Sequence, residues 1–416
     1  MKVAVIGGGW AGLAAAVELT EKQVETTLFE AGRQLGGRAR SLTSDGRRLD
    51  NGQHILLGAY RETLALMRRV GVDPEQLLDR RCLQVIDNQG FRLALPKLPA
   101  PLHLAWGLLG ARGVGLREKV GTALWMARIK NRHFRLQHDM TVAEWLDQAG
   151  QTGTLRQHLW EPLCLAALNI PAARASAQLF ANVLRDSLGS NQRAATDLLL
   201  PRVDLGQLLP QPAAAWLTAH GARLRLGQRV RQIDLGEQCV MVDGESFDHV
   251  ILATAPQHAL RLCPEIAADF DYEPIATVYL QFGQQFKLPF PLINLNGNCG
   301  QWVVDRGNGL LACILSGHGE WESLHDDQLG TALLGELNVA EKPLWKKVIR
   351  EQRATFSSTP GLSRPPWATT HRRLLLAGDY TWSDYPATLE GAVRSGLRAG
   401  ASLAKAAPEQ VKIIVV

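Results

Sequence analysis

Lys2-Val-Ala-Val-Ile6, then Gly7-Gly-Gly9-Trp10-Ala11-Gly12, then Leu13 to Lys22 and Thr26-Thr-Leu-Phe-Glu30: the chain opens as apolar strand, glycine turn, helix and second strand. In that order each glycine has its own task. Gly7 makes the tight turn, Gly9 lets the backbone approach a pyrophosphate, and Gly12 lets the helix pack closely on the strand. The helix N-terminus offers free N–H groups and a positive dipole end to the phosphates. Glu30 ends the second strand where an acid bonds the ribose hydroxyls of an adenosine, and an acid there disfavours the 2′-phosphate of NADP. Trp10, Ala11 and the neighbouring Ala31 fall in the same cradle. The stretch predicts dinucleotide binding by a Rossmann-like α/β unit with a parallel sheet, and leaves NAD against FAD open.

Arg33-Gln-Leu-Gly36-Gly37-Arg38 follows. A second glycine pair and an arginine suit a close backbone approach and a fixed cation beside the same pyrophosphate. The plain alternative is a surface turn with a solvated arginine. This extension resembles the FAD-binding superfamily of amine oxidases and carotenoid desaturases, which implies that Arg38 contacts the FAD phosphates. It also implies that Leu49-Asp50-Asn51-Gly52-Gln53-His54-Ile55 returns to the flavin ring, with Gly52, Gln53 and His54 against it. Read without the resemblance, His54 is better explained as a satisfied loop histidine.

Composition sets the bounds. With 416 residues, 46% apolar and 20% charged, the chain is globular and long enough for two or three domains. A net charge of +5 without a long Lys/Arg run excludes a dedicated nucleic-acid binder and is compatible with an anionic membrane surface. The six cysteines, Cys82, Cys164, Cys239, Cys263, Cys299 and Cys313, contain no C-x-x-C pair. They read as buried thiols in a reducing compartment, and no metal is expected. A strand beginning at Lys2 leaves no room for a signal peptide, and no apolar run approaches the ~18 residues of a spanning helix. The expected location is cytoplasmic, peripheral to the inner face of the membrane.

Farther on, Tyr60 to Val70 has helical spacing. Phe91 to Leu109 is apolar but broken by Pro96, Pro99 and Pro101, so it cannot be one helix. Trp106, Trp125 and the cations from Arg117 to Arg132 suit either an interfacial segment or an ordinary solvated helix. Thr141-Val-Ala-Glu144 is a capping box that starts another helix, and Leu159 to Asn169 and Ser176 to Leu188 continue the helical character. Short strand signals follow at Ala222 to Leu226, Val230 to Ile233, Cys239 to Val242 and His249 to Ala253, and later at Ile275 to Phe282 and Leu310 to Ser316. The resemblance implies that the backbone of Val230 meets the adenine.

Leu374-Leu-Leu-Ala-Gly378-Asp379 is a buried-type strand ending in Gly-Asp, and Thr388-Leu389-Glu390-Gly391-Ala392 opens a helix. In the superfamily the Gly-Asp acid bonds the ribityl or phosphate portion of FAD, and the helix N-terminus faces the flavin. The resemblance therefore assigns Gly378, Asp379, Leu389, Glu390 and Ala392, with Arg33 and Gly37, to noncovalent FAD. The implied architecture is an α/β fold in which 1–84, 201–256 and 367–416 form a discontinuous FAD-binding domain. Residues 85–200 and 257–366 form an inserted, helix-rich α+β substrate domain.

Three longer passages, Asn51 to Tyr60, Trp160 to Asn169 and Ala377 to Ala392, look like the squalene-associated flavoenzymes, the hydroxysqualene dehydroxylases. That resemblance implies a C30 isoprenoid substrate, loss of an allylic hydroxyl and hydride delivery from reduced FAD, with an electron donor the sequence does not identify. His54, with Gln53, is the candidate for assisting departure of the hydroxyl, ahead of Asp50, Glu161 and Tyr380. Rival readings are a carotenoid-type desaturase, an amine oxidase, weakened by Thr388 where relatives place a cage aromatic, and a lipid-binding protein that keeps FAD as a structural ligand.

Overall fold

The computed structural model describes residues 1–266, 269–295 and 301–406; Cys299 lies outside them. In chain order, β1 (Lys2–Ile6), α1 (Trp10–Glu21) and β2 (Glu25–Glu30) are followed by α2 (Arg61–Arg69). A run of helices comes next: α3 (Leu102–Leu109), α4 (Leu116–Asn131), α5 (Glu161–Leu168) and α6 (Ala177–Asp186). The chain then supplies β3 (Arg223–Leu226), β4 (His249–Leu252), β5 (Tyr272–Gln281), β6 (Leu310–Ser316), β7 (Trp345–Phe356) and β8 (Leu374–Leu376), and closes with α7 (Leu389–Ala406).

Five strands form a parallel sheet in the order β3-β2-β1-β4-β8, so segments hundreds of residues apart lie side by side. β1 is central and all but its first residue are buried, which is why it reads as a continuous apolar run and not as an alternating one. A second, antiparallel sheet runs Leu292–Asn294, Trp302–Asp305, β6, β5, β7.

α1 joins the two ends of the chain. Its residues from Trp10 to Val17 are all buried, most of them alanine, glycine or valine. α7 lies against it so closely that a Cβ at Gly396 would come within 2.0 Å of the Ala11 carbonyl oxygen, and one at Gly400 within 2.9 Å of that of Ala15. Two glycines one turn apart permit a backbone contact that any larger residue would prevent.

Most elements follow the sequence expectation, including the Thr141–Glu144 capping box. Two do not. Val230 is not in a strand; the strand begins at Ile233, and Val230 is buried in the apolar cluster that also holds Phe29 and Ile6. The segment before α5 is a π-helical turn, Arg156–Trp160, which the apolar pattern did not distinguish from α-helix.

Candidate active site

One cavity of about 1420 Å³ collects nearly all of the predicted site residues. Gly7, Gly9, Trp10, Ala11, Glu30, Ala31, Arg33, Gly37, Arg38, Gly52, Gln53, His54, Val230, Gly378, Asp379, Leu389 and Ala392 line it. Gly12 and Glu390 do not.

At the glycine end the backbone itself is the wall. Gly7 has φ +112°, and a Cβ there would lie 2.6 Å from the Ala253 carbonyl oxygen. A Cβ on Gly12 would sit 1.9 Å from the Gly7 oxygen, so Gly12 serves contact between α1 and the turn. Gly9 differs, since a Cβ there would meet only Gly37 Cα at 3.8 Å. The open space above Gly9 belongs to the cavity. As N-cap of α1, Gly9 has no side chain to occupy the first-turn N–H groups. The second glycine pair is fastened to the first, Gly36 N donating to Gly8 O at 2.8 Å. Uncapped amides above a Cβ-free floor fit a pyrophosphate. Glu30 accepts from Gly8 N and Gly32 N, both at 2.7 Å, which holds its carboxylate at this rim.

Arg38 and Asp379, 341 positions apart, meet through one guanidinium nitrogen at 2.8 and 2.7 Å from the two carboxylate oxygens. A second nitrogen of Arg38 donates to Ala354 O at 2.8 Å. Burial, the largest single influence, opposes the guanidinium charge, but Asp379 together with Tyr272 and Glu351 outweighs it and the Arg38 pKa is raised. Glu390 needs correction as a cofactor-contacting side chain. Fully buried, its carboxylate accepts from Glu62 N, Thr63 N, the Thr63 hydroxyl and Arg394 Nε, so it anchors the start of α2. The first turn of α7 still reaches the cavity through Leu389 and Ala392.

The 50–54 loop is held from every side. Asp50 accepts from Leu205 N at 2.8 Å and from Arg306 at 3.1 Å. Gln53 accepts from the same arginine at 2.6 Å, donates its side-chain amide to His54 O at 2.8 Å and its backbone N–H to the Thr277 hydroxyl at 3.2 Å. Both ends of the Gln53 amide are thereby paired within the protein, which makes it a positioning group for the loop. His54 is half-buried, with Nδ1 2.8 Å from Gly52 O. Because a carbonyl can only accept, Nδ1 carries the proton and Nε2 is left for a ligand. Burial lowers the imidazole pKa below 6.5, Arg38 lowers it further, and Gly52 and Asp50 act the other way.

Tyr380 lines the cavity wall, whereas Asp50 and Glu161 do not; Glu161 pairs with Arg156 at 2.8 Å. Thr388 also lines it, its hydroxyl accepting from Gly391 N at 3.1 Å. Part of the remaining wall is apolar, Phe180, Val183, Leu184, Ile275, Trp302 and Ile314 from α6, β5, β6 and the Trp302–Asp305 strand, while Asn169, Asp186, Glu351 and Arg353 also line the cavity. None of those apolar residues was singled out from the sequence, and nor was Arg306. Ordinary core residues carry no local pattern that marks one side as cavity wall, and Arg306 gains its role only by folding back onto Asp50 and Gln53.

Comparison with known proteins extends over almost the whole chain. The family described as flavin containing amine oxidoreductase matches residues 10–403. A hydroxysqualene dehydroxylase of Rhodopseudomonas palustris is 32% identical, covering 95% of this chain and 97% of its own. A probable zeta-carotene desaturase of Synechococcus elongatus is 25% identical, covering 98% of this chain and 99% of its own. Among solved structures, a redesigned putrescine oxidase superposes with a TM-score of 0.73 at 19% identity, covering 98% of this chain and 99% of its own, a likeness of fold.

Proposed function

We infer that this chain, which belongs to the flavin containing amine oxidoreductase family and has FAD as its cofactor, catalyses reductive removal of the allylic hydroxyl of hydroxysqualene to give squalene. The observation that carries this reading is the similarity to a hydroxysqualene dehydroxylase over nearly the full length of both chains. The cavity supports it, because one space joins a glycine cradle to a wall of Phe180, Val183, Ile275, Trp302 and Ile314 suited to a neutral isoprenoid.

When bound noncovalently in this cradle, FAD in its reduced form would supply the hydride that the allylic carbon needs. The C–O bond breaks, a proton joins the departing hydroxyl, and the products are the hydrocarbon and water. In our assignment Gly7, Gly9 and the first turn of α1 hold the pyrophosphate, Glu30 the ribose, Val230 the adenine, and the Arg38–Asp379 pair the central portion. The apolar wall orients the chain and excludes water that would recapture an allylic cation. His54 presents Nε2 to the hydroxyl. With Nδ1–H committed to Gly52, only the imidazolium can donate from Nε2, so its lowered pKa makes the acid form scarce at neutral pH.

Residues 1–84, 201–256 and 367–416 form the FAD-binding part in this reading, since each contributes to the parallel sheet, and 85–200 with 257–366 enclose the substrate. A bilayer-borne substrate places the enzyme at a membrane surface. Among the described residues no helix is long and apolar enough to cross one.

The test is anaerobic incubation of chemically reduced protein with hydroxysqualene, followed by lipid chromatography and the flavin spectrum. Stoichiometric squalene with reoxidation of the flavin is expected. Reduction of oxidised flavin by a carotene precursor, without dehydroxylation, would move the assignment to the desaturase side, which the 25% identical relative represents.

A further inference from the structure

Six large apolar side chains cluster on the outside of one hairpin. Leu102, Trp106 and Leu109 on α3 and Leu116, Val120 and Leu124 on α4 are each between 51% and 69% exposed. Within each helix the intervals are three or four residues, so each set is one stripe. The opposite face of α4 is equally apolar: Trp125 and Ile129 are buried, and Trp125 packs edge-on against Trp145 and Trp160 with centroids 5.0 and 5.2 Å apart. A helix apolar on both sides is not built for water on either.

The charges of this hairpin are one-sided. Residues 97–135 contain eight Lys or Arg and a single acid, Glu118. Its carboxylate accepts from Leu155 N at 2.5 Å, and against eight cations this one acid leaves the segment with a net charge of +7. Lys119 donates from Nζ to Leu109 O at 2.6 Å and so fastens the end of α3 to α4.

We propose that the α3–α4 hairpin is the surface by which this protein lies on an anionic phospholipid bilayer, with its leucines and Trp106 in the acyl boundary and its lysines and arginines among the headgroups. Charge selects this occupant. A second copy of the chain, placed on the same stripes in a two-fold interface, would set eight cations against eight, whereas an anionic leaflet complements them. The hairpin is interfacial, since neither helix is long enough to span. The purpose of the surface, collecting a lipid substrate, rests on the proposed function; its test does not.

The test is flotation of the holoenzyme with substrate-free vesicles of phosphatidylcholine, alone or mixed with phosphatidylglycerol, comparing wild type with a Trp106→Ser/Leu124→Ser double variant. Wild type is expected to float with the anionic vesicles at low salt and to leave them at about 0.5 M salt, where the Debye length shrinks to a few ångström. The double variant should lose about tenfold in bound fraction while keeping its flavin spectrum and melting temperature, because both positions are exposed. Absence of flotation on anionic vesicles at low salt overturns the proposal, as does equal flotation on neutral ones. A wild-type dimer in light scattering that the double variant dissociates, with vesicle binding unchanged, would instead give the stripes to a second copy. Failure of the dehydroxylation assay leaves all of these outcomes readable.

Discussion

The two ends of the cavity are made of different material. The glycine end is backbone: Gly9 and Gly37 approach one another, and Gly7 approaches the Ala253 carbonyl, because none has a Cβ, while Gly36 N donates to Gly8 O. The other end is side-chain bulk, Phe180, Val183, Trp302 and Ile314 from elements far apart in the chain. A backbone wall tolerates one residue type at each position, whereas a bulk wall tolerates any apolar group of about the right size. The first should fail completely when altered, and the second by degrees.

The largest effect expected is at Gly9. Gly9→Leu should fold, because the space above Gly9 is open, yet purify without flavin and resist reconstitution. Gly12→Ala should fail differently, losing about 3 kcal/mol of stability from a clash with the Gly7 carbonyl. Absorbance spectra and thermal melts separate the two; a flavin-loaded Gly9→Leu would end the backbone-wall account.

His54 joins the ends. His54→Ala should keep its flavin and slow single-turnover dehydroxylation from pre-reduced enzyme by roughly 10²–10⁴. Since the acid form must donate and burial lowers its pKa below 6.5, the wild-type rate should fall as pH rises through that lowered value and level off below it. A pH-independent rate, or an unaffected Ala variant, would assign His54 to packing.

Glu390→Gln comes next. Loss of a buried charge that serves Thr63, Glu62 and Arg394 should cost about 3 kcal/mol while the flavin spectrum stays unchanged, since the side chain does not line the cavity. A melting temperature equal to wild type would show the anchor of α2 to be dispensable. The smallest effect belongs to the bulk wall. Ile314→Ala should weaken substrate binding by about 1 kcal/mol, roughly fivefold in KM, with kcat and flavin retained. Complete inactivation there would break the contrast between the ends.

Legibility followed the same division. Gly7 to Glu30 can be read along the chain because steric and electrostatic requirements confine those positions to particular residue types at particular spacings, whereas Arg38 and Asp379 join them through the family resemblance. A β-branched residue among polar ones imitates the strand period at Val230, although the residue lies outside any strand and is buried in an apolar cluster that also holds Phe29 and Ile6. The sequence presents Gln53 as a catalytic candidate beside His54, and Arg306, folding back from 253 residues away, pairs with its amide oxygen, a contact that no local pattern announces.

By itself the sequence determined the parallel α/β unit and the dinucleotide cradle at its opening, both of which rest on backbone geometry and local patterns; the return of Gly378-Asp379 to that cradle is what the family resemblance implies. Only the tertiary structure decided which apolar residues form the cavity wall, which nitrogen of His54 is left for a ligand and where the Glu390 carboxylate is spent. The cavity wall and the Glu390 carboxylate depend on partners tens to hundreds of residues distant, and such a contact constrains neither side chain to a residue type that reading in order could detect; the His54 nitrogen depends on the loop turning the ring back onto Gly52.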